Sequence, residues 1–288
     1  MNPRSVGEPV PPENAWQWIG GEGNPLVFTH ANGFPPETYR TLLEALFPHF
    51  RVATFSNRPL WSAGDPERLE SWHPMAADLE EAIEDHVREP VVALGHSLGG
   101  MLCALAAAER SDLVSTLVLL DPVVFSGAHG VVWGWMKRFG MARGFPLVRG
   151  AERRRDTWPD RNALRMSWTG KSVFRRWDPR VFEDYLEHGV VDQPDGSLAL
   201  RYPKAWEARI FEVCPHDEWS RLRRISSPVL VVRGESSDTL LPAAARRLAR
   251  ELPAARLIDL EGTSHFLPME RPGEVARLII EFAADVCS

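Results

Sequence analysis

The stretch PVVALGHSLGG, residues 90–100, decides the fold of this chain. It begins as an apolar run and ends in the pattern Gly-His-Ser-Leu-Gly, residues 95–99, which is followed by a segment rich in alanine and leucine, residues 101–108. A short apolar run bounded by glycine is typical of a buried strand, and the following composition favours a helix. The serine at position 97 therefore lies on a predicted turn between a strand and a helix.

A serine on such a tight turn is a candidate nucleophile. The turn pushes the hydroxyl of Ser97 out above the sheet, and Gly95 and Gly99 lack the Cβ atoms that would clash there. The N-terminus of the following helix directs N–H groups toward negative charge that develops on a substrate. The competing interpretation is a chance glycine turn in which the serine only caps the helix.

Strands and helices alternate on both sides of this turn. The predicted strands cover residues 25–29, 50–55, 90–94, 114–120, 228–232 and 255–260. The predicted helices cover residues 38–47, 75–87, 101–108, 243–251 and 273–284. Continuously apolar strands that alternate with helices predict an α/β fold with a mostly parallel central sheet flanked by helices.

The alternation stops between residues 124 and 220, so we predict three parts: a first part of the α/β core, residues 1–123, a helical cap inserted at 124–220, and a second part of the core, residues 221–288. The predicted cap contains seven of the eleven tryptophans, and residues 137–180 contain 13 Lys or Arg and 4 Asp or Glu, although the whole chain has a net charge of -6. Two interpretations stay open. The aromatics and arginines could bind a flat or acyl group and an anion, or they could pack the cap and form solvated helix faces.

The composition excludes several classes of protein. The modest acidity argues against nucleic acid as a partner, and no apolar stretch approaches the roughly 20 residues of a membrane helix. The proline-rich N-terminus lacks the apolar region of a secretory signal, so we expect a cytoplasmic protein. The three widely spaced cysteines are expected to be packed thiols: Cys103, Cys214 and Cys287. We expect no metal, no cofactor and a small-molecule substrate, with the protein a monomer or homodimer.

A nucleophilic serine needs a base and a carboxylate that orients the base. His265 follows the last predicted strand and is the expected base, whereas His96 is expected to be structural. Asp238 follows the strand at residues 228–232 and is the expected acid, because it lies between the serine and the histidine in chain order. Asp121, at the end of the strand after the nucleophile helix, and Glu235 are the alternatives.

Acyl transfer also needs two N–H donors for the oxyanion of the tetrahedral intermediate. Leu98, the residue after the nucleophile, is the expected first donor. The loop at residues 30–34 is the expected source of the second, with Asn32 as the first choice and Phe34 as the alternative. We expect His30 to brace this loop.

Five motifs together resemble the α/β-hydrolase superfamily: THANGFP at residues 29–35, GHSLGG at 95–100, LVLLDP at 117–122, VLVVRGESSD at 229–238 and GTSHFLPMERP at 262–272. The resemblance implies a serine, acid and histidine triad under an inserted cap, and it is nearest to capped esterases, lactonases and carbon–carbon bond hydrolases. The HANGFP loop is two residues longer than the common form of that loop. It also resembles the loop of fungal acyl-CoA hydrolases of secondary metabolism.

Three hypotheses about function follow. The first is a serine hydrolase that cleaves a carboxylic ester or lactone of a small to medium apolar or acyl substrate. The second is hydrolysis of a thioester or a carbon–carbon bond by the same triad. The third is a ligand-binding protein without catalytic activity, since a fold does not dictate a function.

Overall fold

A seven-stranded sheet forms the centre of the computed structural model, which describes residues 9–61, 64–252 and 254–286. The strands of this sheet are β1 Trp16–Gly20, β2 Asn24–Thr29, β3 Phe50–Phe55, β4 Val91–His96, β5 Val114–Leu120, β9 Val229–Gly234 and β10 Ala255–Leu260. Their order across the sheet is β1-β3-β2-β4-β5-β9-β10. β1 is antiparallel to β3, and the other neighbours are parallel.

Helices cover both faces of the sheet. Those outside the inserted segment are α1 Arg40–Glu44, α2 His73–His86, α3 Leu98–Glu109, α10 Pro242–Glu251, α11 Leu267–Glu270 and α12 Pro272–Val286. Side chains of β4 alternate between the two faces: Val91 and Ala93 join a buried cluster with α2, α3 and α10, and Val92 and Leu94 join another with α1 and α12. Strands buried on both faces are continuously apolar, which explains the sequence pattern.

The segment between β5 and β9, residues 124–220, is called the insertion below. Its helices are α4 Gly127–Arg138, α5 Pro146–Glu152, α6 Arg161–Thr169, α7 Pro179–His188, α8 Lys204–Glu212 and α9 Trp219–Leu222. It also contains a small antiparallel sheet of order β6-β8-β7, formed by Thr157–Trp158, Leu198–Leu200 and Val190–Asp192. The sequence predicts a helical segment here and gives no sign of these short strands.

The α/β fold with a mostly parallel sheet is as predicted. The bounds of β3, β5 and β10 coincide with the predicted residues. The edge strand β1 was not predicted, because its burial pattern has a single buried residue and lacks a clear alternation. The predicted helix at residues 38–47 is shorter than expected, since a 3₁₀ turn, Pro36–Tyr39, precedes α1.

Burial settles several smaller expectations. Six of the seven tryptophans of the insertion are buried, and only Trp135, at 60%, is largely exposed. Cys103 and Cys214 are buried free thiols, as predicted, and Cys287 lies outside the described residues.

Among the residues described, none of the helices has the length and apolar character needed to traverse a bilayer.

Candidate active site

The turn between β4 and α3 has the steric constraints that its glycines predict. Ser97 adopts φ +55°, a region that non-glycine residues rarely occupy. A Cβ atom on Gly95 would lie 2.3 Å from the carbonyl oxygen of Gly99, and one on Gly99 would lie 2.0 Å from the carbonyl oxygen of Thr29. Both positions therefore require glycine, and the expectation that these glycines relieve a clash is confirmed.

Parallel pairing brings the ends of β4, β5 and β9 to one edge of the sheet. The Ser97 N–H donates to the Leu120 carbonyl over 3.0 Å, and the Asp121 N–H donates to the Val232 carbonyl over 2.8 Å. Asp121, like Ser97, has a positive φ, +43°. The serine and this aspartate thus follow adjacent strands, and both have a positive φ.

Asp121 is the carboxylate that contacts His265. Its Oδ1 lies 3.0 Å from the His265 Nδ1, and it is completely buried. The carboxylate also accepts hydrogen bonds from the Gly234 N–H, the Ser237 hydroxyl and the Leu240 N–H, at 2.8, 2.6 and 3.2 Å. Donors from the end of β9 and the loop after it therefore hold the carboxylate in place toward the histidine.

The expectation that Asp238 orients His265 is wrong. The Asp238 side chain is exposed, and its hydrogen bond is with the hydroxyl of the neighbouring Thr239 at 3.4 Å. The loop after β9 turns its backbone N–H groups and a serine toward Asp121 and leaves Asp238 in solvent. Glu235 is also exposed, and it accepts a hydrogen bond from the Gly262 N–H.

His96 contacts the backbone of His265, whose ring is already held by Asp121. The His96 Nε2 donates to the His265 carbonyl over 2.9 Å, and the two rings lie 4.9 Å apart. The other nitrogen of His96, Nδ1, accepts from the Tyr39 hydroxyl at 2.8 Å, and this hydroxyl accepts from the Ala31 N–H at 3.2 Å. Burial and the nearby His265 lower the pKa of His96 well below its usual value, so His96 is a neutral buried bridge.

The loop at residues 30–34, which precedes α1, lies beside the N-terminus of α3. His30 is completely buried, and burial lowers its pKa to about 4. Its Nδ1 donates to the Ala31 carbonyl, and its Nε2 accepts from the Asn57 N–H at 3.0 Å. A neutral histidine with both nitrogens satisfied braces the loop, as the sequence analysis expected.

The expected oxyanion donors differ in whether their N–H groups already make a hydrogen bond within the protein. The Phe34 N–H donates to the Ala31 carbonyl at 3.4 Å, so the turn itself uses this group. Within the part of the chain that the structure describes, the N–H groups of Asn32 and Leu98 donate to no protein acceptor. The Ser97 hydroxyl likewise makes no hydrogen bond to a described residue, and such bonds often form only when a substrate binds.

Residues of the insertion also contact the loop at residues 30–34. The Asn32 side chain donates to the Glu207 carbonyl at 3.0 Å and accepts from the Tyr202 hydroxyl at 2.9 Å. The Arg154 guanidinium is paired with the Glu207 carboxylate at 2.7 Å and with the Tyr185 hydroxyl. Because this guanidinium is already neutralised, Arg154 supports the packing interpretation of the basic insertion rather than anion binding.

An aromatic cluster adjoins His265. Phe34 from the loop, Trp177 and Tyr185 from the insertion, and Phe266 approach one another, with centroid distances from Phe34 of 5.6, 5.2 and 5.8 Å. The His265 ring lies 5.3 Å from that of Phe266. A cavity of about 550 Å³ lies beside α4, and neither Ser97, Asp121 nor His265 lines it.

Two positioning groups were missed by the sequence analysis, Tyr39 and Glu270. The Glu270 carboxylate accepts from the N–H and the hydroxyl of Ser264, directly before His265, at 2.9 and 2.7 Å. It is also 3.4 Å from an Arg176 guanidinium nitrogen. Only the position of this glutamate five residues after the histidine could have suggested a role. No cluster of His, Cys, Asp and Glu suited to a metal occurs in the described ranges.

Comparison with known proteins agrees with this architecture. The chain is 25% identical over 236 residues to the abhydrolase domain-containing protein AFT2-1 of Alternaria alternata, covering 68% of this chain and 84% of that protein. It is 28% identical over 186 residues to the type I acyl-CoA thioesterase mpaH' of Penicillium brevicompactum, covering 59% of this chain and 40% of that protein.

The crystal structure of E-2-(acetamidomethylene)succinate hydrolase superposes with a TM-score of 0.73 at 22% identity, covering 92% of this chain and 93% of that one. At this identity the likeness shows the fold. The family model described as the alpha/beta hydrolase family matches residues 26–278. This chain therefore belongs to the α/β-hydrolase family.

Proposed function

We propose that the protein is a serine hydrolase that cleaves a carboxylic ester of an apolar acyl group through an acyl-serine intermediate. The observation that carries the proposal is the 3.0 Å contact of the His265 Nδ1 with the buried Asp121, at the sheet edge where Ser97 ends the neighbouring strand. Because the carboxylate accepts the Nδ1 proton, the lone pair of the neutral ring is on Nε2. That nitrogen is the one that takes the serine proton.

In the first half of the reaction, the Ser97 oxygen attacks the ester carbonyl as its proton passes to the His265 Nε2. The imidazolium is stabilised by Asp121 and then gives the proton to the leaving oxygen. The N–H groups of Leu98 and Asn32 are the donors proposed for the oxyanion. In the second half, His265 removes a proton from water, which attacks the acyl-serine and releases the acid.

The aromatic cluster supports an apolar acyl group in the substrate. Phe34 and Phe266 are partly exposed and belong to the loops that contain Asn32 and His265. Aromatic walls beside a few polar groups are common in sites that bind apolar ligands. A thioester of the same acyl group is the second candidate, since the Penicillium brevicompactum relative is a thioesterase.

A fluorophosphonate probe tests the proposal, because it labels an activated serine covalently. We expect one labelled peptide that contains Ser97, and no label in Ser97→Ala. Ser220→Ala, which changes an exposed serine on α9, is the matched control and should label normally. Absence of label in the folded wild-type chain would instead favour the ligand-binding hypothesis.

Substrate class follows from rates on p-nitrophenyl esters and coenzyme A thioesters of equal acyl length. We expect a higher kcat/KM for the oxygen esters and a rise with chain length over the short acyl groups. The reverse order would select the thioesterase candidate on the same residues. Cleavage of neither, with intact labelling of Ser97, would leave the carbon–carbon hydrolase alternative.

A further inference from the structure

Exposed apolar side chains concentrate in one part of the insertion. Of the eleven large hydrophobic residues that are exposed in the described chain, six lie within residues 131–147. They are Val131, Val132, Trp135, Phe139, Met141 and Leu147, each more than half exposed. We call these six residues the apolar face.

The geometry of α4 places half of the apolar face on one side of the helix. Val131, Trp135 and Phe139 are spaced four residues apart, so they follow one side of the helix and its C-terminal cap. The rings of Trp135 and Phe139 are 5.2 Å apart. On the opposite side of the same helix, Trp133 is buried and donates to the Cys214 carbonyl. The helix therefore packs its inner side against the rest of the chain and leaves the side with Trp135 exposed.

Basic side chains outnumber carboxylates around the apolar face, where Arg143 is paired with Glu67 and Glu212 and the exposed Asp217 lines the same cavity as Trp135. No Asp or Glu occurs from Ser126 to Ala151, whereas Arg138, Arg149 and then Arg153 are exposed. In the residues that the structure describes, these three guanidiniums have no carboxylate partner, unlike most other arginines of the insertion. Lys137 is different, because its ammonium points inward to the carbonyls of Val213 and Cys214.

We propose that the apolar face docks the protein on an anionic lipid surface. Large apolar side chains including tryptophan, surrounded by unpaired arginines, are the combination that inserts into the headgroup region of a bilayer. A second copy of the chain fits less well. A two-fold contact through this face would bring Arg138 and Arg149 of both copies together, and neither guanidinium has a carboxylate partner among the described residues.

The test is flotation of the purified chain with lipid vesicles. We expect binding to vesicles of phosphatidylcholine mixed with phosphatidylglycerol, weak binding to phosphatidylcholine alone, and loss of binding as salt increases. Arg138→Gln combined with Arg149→Gln should lower the partition coefficient about 30-fold, at about five-fold for each basic side chain near such a surface. Trp135→Ser combined with Val131→Ser should abolish the residual binding to neutral vesicles.

Matched controls change similar side chains elsewhere. Met166→Ser alters an exposed hydrophobic side chain on α6, and Arg246→Gln alters an exposed arginine on α10. Both should float like the wild type. Hydrolysis of a water-soluble ester by the face variants should be unchanged, which shows that they are folded.

Three outcomes would overturn the proposal. The first is equal binding to neutral and anionic vesicles. The second is loss of binding in the control variants as great as in the face variants. The third is no vesicle binding together with a concentration-dependent dimer in analytical ultracentrifugation that Trp135→Ser dissociates, which would assign the face to a contact between copies.

Discussion

Replacement of Asp121 by asparagine tests which carboxylate orients the histidine. Oδ1 of Asp121 accepts hydrogen bonds from Ser237, Leu240 and His265, and Oδ2 accepts one from Gly234. An asparagine has one oxygen, so its NH₂ group must face at least one donor. If the NH₂ group faces His265, the ring shifts to the tautomer that has its proton on Nε2 and can no longer accept the serine proton.

The expected loss of activity is large. In serine hydrolases the corresponding change lowers kcat about 10⁴-fold, which is about 5.5 kcal/mol of transition-state stabilisation. We expect a loss of this order in Asp121→Asn. The unpaired donor in the buried site should also lower the free energy of unfolding by about 1–3 kcal/mol.

The assay compares kcat on a p-nitrophenyl ester for Asp121→Asn and for Asp238→Asn, the matched control in the exposed part of the loop. Urea unfolding of both variants separates loss of chemistry from loss of fold. We expect Asp238→Asn to retain the wild-type kcat. A large loss in Asp238→Asn, with Asp121→Asn near wild type, would refute the assignment.

Three further predictions concern the groups around the site. Tyr39→Phe removes the hydroxyl that joins the loop at residues 30–34 to His96. This variant should have a free energy of unfolding lower by about 1–2 kcal/mol and a reduced kcat. A urea unfolding curve equal to that of the wild type would contradict this. Glu270→Gln weakens the acceptor for Ser264 and should lower kcat more than it raises KM, whereas a change in KM alone would point to a role in substrate binding. Burial lowers the pKa of His30 to about 4, so the unfolded chain binds a proton at this residue more tightly than the folded chain does. The contribution of His30 to the free energy of unfolding should therefore fall by about 3 kcal/mol as the pH drops from about 6.5 to 4. His30→Gln should unfold with a shallower pH dependence over that interval, and an unchanged slope would exclude His30 as its source.

Much of the fold could be predicted because its strands are buried on both faces. Continuous apolar runs such as residues 117–120 of β5 can form little other than an interior strand when turns bound them. The edge strand β1 lies at the rim of the sheet and has three exposed residues in sequence, so no periodicity marks it. The two-residue strand β6 is set by its partner β8 rather than by its own composition.

The candidate site was predictable in part. Glycine spacing identified Ser97, because only glycine fits the close backbone approaches on either side of it. Chain order favoured Asp238 over Asp121, but order fixes only the strand that a loop follows and leaves the direction of its side chains undetermined. The stronger signal was the charge itself, since Asp121 directly ends a run of apolar residues that is buried on both faces. A carboxylate at such a place needs several donors to compensate burial, and the glycine- and serine-containing loop after β9 provides them.

The left-handed backbone at Ser97 and Asp121 has a consequence for the conditions under which the protein works. Two of the three non-glycine residues with positive φ in the described chain are these neighbours. Such conformations cost about 1–2 kcal/mol each and persist only while the surroundings impose them. We therefore expect mild loosening by heat or denaturant to relax these turns before the helices unfold. Ester hydrolysis should then be lost at a lower temperature than the circular dichroism signal of the helices.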